Sequence, residues 1–170
     1  MPATTAERYR RWFEYERDSH RKVLGSLRAV NPDLRSAAGF QKAIDLLAHI
    51  VAARLLWLYR FGAAPQPPAD VFPRGVALAN VESSLQEMEG AWARYLDRLT
   101  DPDTARLFEY RSLEGDWFRN TVEDILTQLF GHSLYHRGQI AQLLRSIGAE
   151  PPVTDFVFWT REAITERRQA

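Results

Sequence analysis

Apolar residues recur at helical spacing in four long segments of this 170-residue chain. The first segment opens with Thr4-x-x-Glu7, the pattern of a capping box, and Asn31-Pro32 predicts its end. The second segment follows Ser36, a predicted N-cap, and stops at Gly62. Apolar residues occupy nearly every side of this second segment, which predicts a helix surrounded by neighbours.

The third and fourth segments each carry one apolar seam. Asp101-Pro102-Asp103 predicts the end of the third segment. In the fourth segment, Asn120-x-x-Glu123 predicts a capped start, and Gly148 followed by Pro151-Pro152 predicts the end. The third seam advances by alternating steps of three and four, the spacing of a helical bundle, through Leu78, Val81, Leu85, Met88, Trp92, Tyr95 and Leu99.

Two shorter segments complete the predicted architecture. Residues 107–119 contain a polar turn at Glu114-Gly115-Asp116 between two apolar stretches, which predicts a short hairpin. Thr154 to Arg167 offers aromatic residues that we expect to cover one end of the bundle. The sequence therefore predicts an all-α protein: a four-helix bundle in a single domain over residues 1–170, with a hairpin-like insertion before the last long helix.

Composition excludes several classes of function. The chain has 22 basic and 22 acidic residues, and this balance is unlike the basic excess of nucleic-acid-binding proteins. The absence of cysteine excludes disulfides, thiolate nucleophiles, iron–sulfur clusters and cysteine-based zinc sites. The longest apolar stretch, Leu46 to Tyr59, is interrupted by His49 and Arg54 and is shorter than the ~20 residues of a membrane span. With no signal peptide visible, we expect a cytoplasmic protein without a membrane segment.

Three of the four histidines lie on predicted interior seams. His132 and His136 are four residues apart, so their imidazoles project from one helix face and can converge on one ion. His49 interrupts the apolar seam of the second helix between Leu46 and Ala53. The stripe that places His132 and His136 toward the core runs through Ile125, Leu129, His132, His136, Ile140, Leu143 and Ile147.

A single interior histidine is usually explained by a hydrogen bond to a carbonyl or carboxylate. An isolated His-x-x-x-His pattern is also insufficient evidence for a metal. Three histidines on two interior seams favour a metal or catalytic cluster, since each unsatisfied buried polar group costs roughly 1–3 kcal/mol and one divalent ion would satisfy all three. The fourth histidine, His20, is flanked by charged residues that favour a solvated edge, so we place it outside the cluster.

Further candidates surround these histidines in the sequence. A ligating imidazole usually donates its second N–H to an oxygen, and each candidate acceptor fits the bundle surface equally well; these are Asp45, Asp124, Gln128 and Gln139. Four aromatic residues are candidates for a substrate pocket, although core or surface packing is favoured for each: Tyr15, Trp92, Tyr95 and Tyr135. Arg137 is expected to point to solvent rather than to an anionic substrate.

The stretch from Leu129 to Ile140, with Gly131-His132 and His136-Arg137-Gly138-Gln139, resembles the last helix of the DinB-like family, named for DNA-damage-inducible bacterial proteins. The following Gly148-Ala149-Glu150-Pro151-Pro152 and Thr154-Asp155-Phe156 are similar to that family too, as is the segment around His49. The resemblance implies a four-helix bundle in which His49, His132 and His136 bind nickel, zinc or iron. It also implies frequent homodimers. Many relatives carry another histidine where this chain has Gln128.

Two functional hypotheses follow. The first is a metal-dependent enzyme acting on a small-molecule substrate, either a hydrolase or a transferase or isomerase that uses a low-molecular-weight thiol; a chain without cysteine cannot supply that thiol itself. The second is a non-catalytic dimeric bundle with a structural or regulatory metal and a role related to stress or DNA damage. Structural zinc normally has four protein ligands, so three histidines favour the enzyme unless Asp45 completes the site.

A homodimer and the absence of nucleic-acid and membrane partners complete the expectations. The first and third predicted helices hold enough apolar residues for two faces. Trp12 with Phe13, or Trp92 with Tyr95, serve either a dimer interface or the core.

Overall fold

Four long helices pack into a bundle in the computed structural model, which describes residues 3–163. The second long helix packs against the third and the last, and the first helix also contacts both of these. This arrangement confirms the all-α prediction and the hairpin before the last long helix. In chain order the elements are α1 Thr5–Ala29, a 3-10 turn at Pro32–Leu34, α2 Ala38–Arg60, α3 Leu78–Arg98, α4 Asp101–Ala105, β1 Leu107–Arg111, β2 Trp117–Thr121, α5 Val122–Ser146 and α6 Phe156–Thr160.

Side-chain caps define where α1 and α5 begin. Thr4 and Glu7 form the predicted capping box of α1. The predicted cap of α5 is wrong by one residue, because the box is made by Thr121 and Asp124 instead of Asn120 and Glu123. Asn120 is still part of β2, where its side chain accepts a hydrogen bond from the Tyr110 hydroxyl (2.9 Å). Strand pairing therefore delays the start of the helix.

The second helix also begins one residue later than a Ser36 cap requires, with Ala37 as the N-cap residue and no side-chain cap. Asp101-Pro102-Asp103 does not simply end the third helix. The chain leaves α3 at Leu99 and then forms the short helix α4, whose N-terminus is capped by Thr100 and Asp103. Gly148 follows α5 with a φ of 80°, as the predicted C-terminal glycine requires.

The hairpin is antiparallel, with Leu107 paired to Thr121 and Arg111 paired to Trp117. At the other end of the chain, the rings of Phe156 and Trp159 pack on Tyr15 with centroid separations of 5.0 and 5.8 Å. Val157 and Phe158 stay exposed, so α6 covers the bundle with only part of the predicted apolar surface. Residues 164–167 of that predicted segment lie outside the described residues.

The core consists of two apolar clusters, and α2 contributes to both of them. Leu58 joins Trp92 in one cluster, and Leu47 joins Ile140 in the other; all four are fully buried. Trp12 stacks on Phe130 at 4.6 Å and packs against the core. The helix α2 therefore has neighbours on several sides, as its nearly continuous apolar pattern predicted, although Lys42 and Tyr59 stay exposed.

None of the helices within residues 3–163 combines the length and hydropathy that a membrane crossing requires. The assignment of residues 1–170 to a single domain stays a prediction.

Trp92 provides a test of this packing. Its side chain is fully buried, and its indole N–H donates to the Arg54 carbonyl of α2 (3.2 Å). Trp92→Ala should lower the free energy of unfolding by about 3–5 kcal/mol because it leaves a large cavity in the core. Urea unfolding followed by circular dichroism measures this change. Trp117→Ala is the matched control: Trp117 is 68% exposed, and its loss should change stability by less than about 0.5 kcal/mol. Equal losses in the two variants would contradict the packing.

Candidate metal centre

The packing of α2 against α5 brings His49 to His132 and His136. The Nε2 atom of His132 lies 3.1 Å from the Nε2 atom of His49 and 3.1 Å from that of His136. The three side chains are half-buried, and their rings meet edge to face. The residues singled out from the sequence therefore form one cluster in space.

The cluster lies at the edge of the core, which corrects the predicted stripe of α5. The buried line of this helix continues from Leu129 through Ser133 and Arg137 to Ile140. Each of these two polar residues directly follows a histidine, and one residue corresponds to about 100° of rotation around the helix. The two imidazoles are thus turned away from the centre of the bundle. Half-burial leaves the cluster accessible to a small molecule.

Two of the imidazoles are oriented by hydrogen bonds of their Nδ1 atoms, the outer ring nitrogens that point away from the cluster. His49 Nδ1 lies 2.6 Å from the Val71 carbonyl oxygen, which can only accept a hydrogen bond. His136 Nδ1 lies 2.7 Å from Gln139 Oε1 in the same way. In the neutral imidazole, a proton on Nδ1 leaves a lone pair on Nε2. The lone pairs of His49 and His136 therefore both point toward His132.

This donor set fits a divalent ion. Imidazole nitrogens bind zinc at about 2.0–2.1 Å, so two ligands at a tetrahedral angle are separated by about 3.3 Å, close to the observed 3.1 Å. The outer-nitrogen contacts are the usual partners of ligating histidines. Within residues 3–163, no further histidine, aspartate or glutamate joins the cluster. The geometry is compatible with metal binding through three neutral ligands.

Burial disfavours the charged form of two of these imidazoles. It is the largest contribution to the shift that lowers the pKa of His132 to about 4, and repulsion from His136, His49 and Arg54 acts in the same direction. Burial also lowers the pKa of His136, although the hydrogen bond with Gln139 opposes that shift. A neutral imidazole is the form that binds a metal, so the lowered pKa values of His132 and His136 favour metal binding near neutral pH.

The connection between α2 and α3 covers one side of the cluster. The Phe72 ring stacks on the His49 ring with a centroid separation of 4.9 Å and an interplanar angle of 14°. Asp45, a candidate partner for His49, instead anchors this connection: its Oδ1 accepts from the Gln41 side-chain amide (2.9 Å) and the Val76 N–H (3.2 Å). The sequence pattern identified neither Val71 nor Phe72, since a proline-rich connection has no periodicity from which to derive contacts.

A buried ionic cluster lies behind the histidines. Glu16 of α1, Arg54 of α2 and Arg137 of α5 are 2%, 4% and 1% exposed. Glu16 forms an ion pair with Arg54, and its other oxygen lies 3.7 Å from Arg137 Nη1. The expectation that Arg137 points to solvent is wrong; its guanidinium is held between Glu16 and the Tyr15 hydroxyl, which is 3.1 Å from Nη2.

The remaining candidates lie apart from the cluster or at its edge. Asp124 caps α5, and Gln128 is exposed. Tyr15 is buried under α6 and donates to the Thr154 carbonyl, and Trp92 belongs to the core. Tyr135 is 65% exposed, with its ring centroid 5.1 Å from that of His136.

His20 lies outside the three-histidine cluster, as expected. The predicted solvated edge is wrong, however, because His20 is fully buried with Nδ1 2.9 Å from Glu89 Oε1. Its neighbours in the sequence are charged, but they occupy other faces of α1.

Glu16 tests the buried ionic cluster. Glu16→Gln leaves two buried guanidinium groups without a carboxylate, so the free energy of unfolding should fall by about 3–5 kcal/mol in urea titrations. The control is Glu14→Gln: Glu14 is an exposed residue of the same helix whose ion pair with Arg17 is solvated. That variant should change stability by less than about 0.5 kcal/mol. A Glu16→Gln protein as stable as the control would contradict the assignment.

The lowered pKa of His132 predicts a pH dependence of stability in the metal-free protein. The folded-state pKa of about 4 lies below the ordinary value near ~6.5, so the unfolded chain binds the proton first as pH falls. The free energy of unfolding should therefore decrease between pH 6.5 and pH 4. In His132→Gln this decrease should be shallower in chelator-treated urea titrations. Identical pH profiles for the two proteins would contradict the prediction.

Comparison with known proteins agrees with this architecture. The model of the DinB family matches residues 1–168. The chain is also similar to Protein DinB of Bacillus subtilis (strain 168), with 19% identity over 163 residues that cover 91% of this chain and 95% of the relative. A family match over nearly the whole length, together with the helical bundle and its histidine cluster, shows that the chain belongs to the DinB family.

Proposed function

We propose that this protein is a metal-dependent enzyme that holds one divalent ion through His49, His132 and His136 and acts on a small-molecule substrate. The observation that carries the proposal is the convergence of three imidazoles, with His132 Nε2 lying 3.1 Å from the Nε2 atoms of His49 and His136. The rings of His49 and His136 are oriented by the contacts of their Nδ1 atoms. Nickel, zinc and iron all suit imidazole ligands.

A divalent ion held by three neutral ligands keeps its full positive charge and acts as a Lewis acid toward a water molecule or a thiol. The chain's own groups orient the ligands: the Val71 carbonyl and the Gln139 side chain hold the rings of His49 and His136. Phe72 excludes water from one face of the His49 ring. Tyr135 stands at the exposed side, beside His136, where a substrate would enter.

Two reaction classes suit such a site. One is hydrolysis; the other is transfer or isomerisation with a low-molecular-weight thiol as co-substrate. The chain contains no cysteine, so the thiol of the second class must come from a separate molecule.

The alternative, a non-catalytic dimeric bundle with a structural or regulatory metal, has less support. A closed structural site normally uses four protein ligands, and within residues 3–163 three are grouped. The carboxylate of Asp45 already accepts hydrogen bonds from Gln41 and Val76. The homodimer also stays a prediction. Trp12 and Trp92 pack within or against the core, so a dimer would need other apolar residues for its interface.

Metal analysis tests the ligand set. Purified protein should contain close to one equivalent of a divalent ion by elemental analysis, and His49→Ala, His132→Ala and His136→Ala should each weaken binding by at least about tenfold. The control is His20→Gln, which changes the histidine outside the cluster and should retain the metal. Circular dichroism verifies folding of each variant. Unchanged metal content in the three cluster variants would refute the site.

X-ray absorption at the metal edge separates the enzyme from the structural alternative. Three nitrogen ligands from imidazole together with exchangeable solvent ligands support the enzyme. Four protein ligands favour the structural role.

A further inference from the structure

A recess of about 440 Å³ lies where α2 and α3 end, beside α4. Gly62, which follows α2 and lines this recess, is 13 residues after His49, or about 20 Å along the helix axis. The recess shares no lining residue with the histidine cluster. Any ligand bound here would therefore occupy a second, separate site.

Three arginines line the recess. Arg94 and Arg98 are four residues apart on α3, so they share one face of that helix, and Arg106 follows α4. Within residues 3–163, none of the three forms an ion pair. The one carboxylate in the lining, that of Asp103, accepts hydrogen bonds from the backbone N–H and the hydroxyl of Thr100. The recess thus concentrates positive charge in a chain whose net charge is zero.

A second recess of the same protein shows the contrast. It lies between α1 and α3, has a volume of about 320 Å³ and also contains three arginines. There each guanidinium forms an ion pair: Arg17 with Glu14, Arg21 with Asp18 and Arg28 with Glu82. The first recess therefore differs from the second in that its arginines form no ion pairs within the described part of the chain.

Tyr95 adds a neutral donor to the lining. Its ring stacks on Phe61 with a centroid separation of 5.1 Å and an interplanar angle of 3°, which fixes its position. Burial raises the pKa of Tyr95 to about 12, so the hydroxyl keeps its proton at physiological pH. No hydrogen-bond partner of this hydroxyl is found in the part of the chain that the structure describes. A protonated phenol can donate to an anion.

Arg10 reduces the repulsion that the C-terminal end of α3 would exert on an anion in the recess. Helix carbonyls carry partial negative charge, but the Leu96 and Leu99 carbonyls both accept from Arg10 Nη1 at 2.9 and 3.1 Å. Arg10 therefore offsets the negative end of the helix next to the recess.

We propose that this recess binds the phosphate group of a small molecule through Arg94, Arg98, Arg106 and the Tyr95 hydroxyl. The three arginines and Asp103 leave an excess of two positive charges in the recess. A phosphate dianion neutralises this excess, whereas a single carboxylate neutralises only half of it. Guanidinium groups suit phosphate because their parallel N–H donors bind two oxygens at once. The site does not depend on the metal chemistry, so each can fail without the other.

Calorimetric titration with inorganic phosphate tests the site in the full chain at pH 8 and constant ionic strength. We expect saturable one-to-one binding that exceeds the binding of acetate. Arg98→Gln and Arg106→Gln should each weaken it about tenfold, the effect of one lost charged hydrogen bond. Arg21→Gln, which changes an exposed arginine of the second recess, should leave the affinity for phosphate within about twofold of that of the unmodified protein.

Binding must persist in His132→Ala, because a phosphate held at the metal centre would be lost in that variant. The proposal is overturned by an absence of saturable binding or by acetate binding as tightly as phosphate. It is equally overturned if Arg98→Gln and Arg21→Gln weaken binding to the same extent, since that result would indicate general attraction to a positive surface.

Discussion

The buried ion pairs between α1, α2 and α5 determine how these three helices pack around the candidate site. A buried ion that loses its partner destabilises a fold by several kcal/mol, so the three helices must pack in the register that brings Glu16 to both Arg54 and Arg137. Arg137 directly follows His136, and Arg54 lies little more than one turn after His49 on α2. The register that pairs the buried charges therefore also determines where the histidines meet.

Where α2 packs against α5, the side that faces the core and the side that faces outward have different electrostatic roles. On the core side, one carboxylate meets two guanidinium groups, and the positive charge of Arg54 contributes to the lowered pKa of His132. On the outer side, burial lowers the pKa of His132 and His136, and the Nδ1 atoms of His49 and His136 lie against oxygens of Val71 and Gln139. The ligands are therefore oriented by one hydrogen bond to the connection after α2 and by one within α5. The arginines of the recess at the end of α3 differ from Arg54 and Arg137, because they are exposed and form no ion pair with the residues that the structure describes.

Sequence periodicity predicted the helices well because each long helix carries enough apolar residues to mark its buried face. It also singled out His49, His132 and His136, since three polar residues on apolar seams require an explanation. The expectations for Arg137 and His20 were wrong, because both side chains are fully buried. Charged neighbours in the sequence had favoured a solvated edge for His20. The periodicity of apolar residues describes a whole helix face. It does not identify a single buried charge whose partner lies on another helix. Glu16 had no distinguishing pattern at all.

The sequence by itself determined the all-α class, the order of the elements, the hairpin before the last long helix and the three histidines, because these depend on local spacing and residue type. Only the tertiary structure decided how far each histidine is buried, that the Val71 carbonyl orients His49, and that Phe72 covers the same ring. It also decided that Arg94, Arg98 and Arg106 share one recess. These features depend on contacts between residues far apart in the chain, and such contacts follow from the register of packed helices, which local periodicity does not specify.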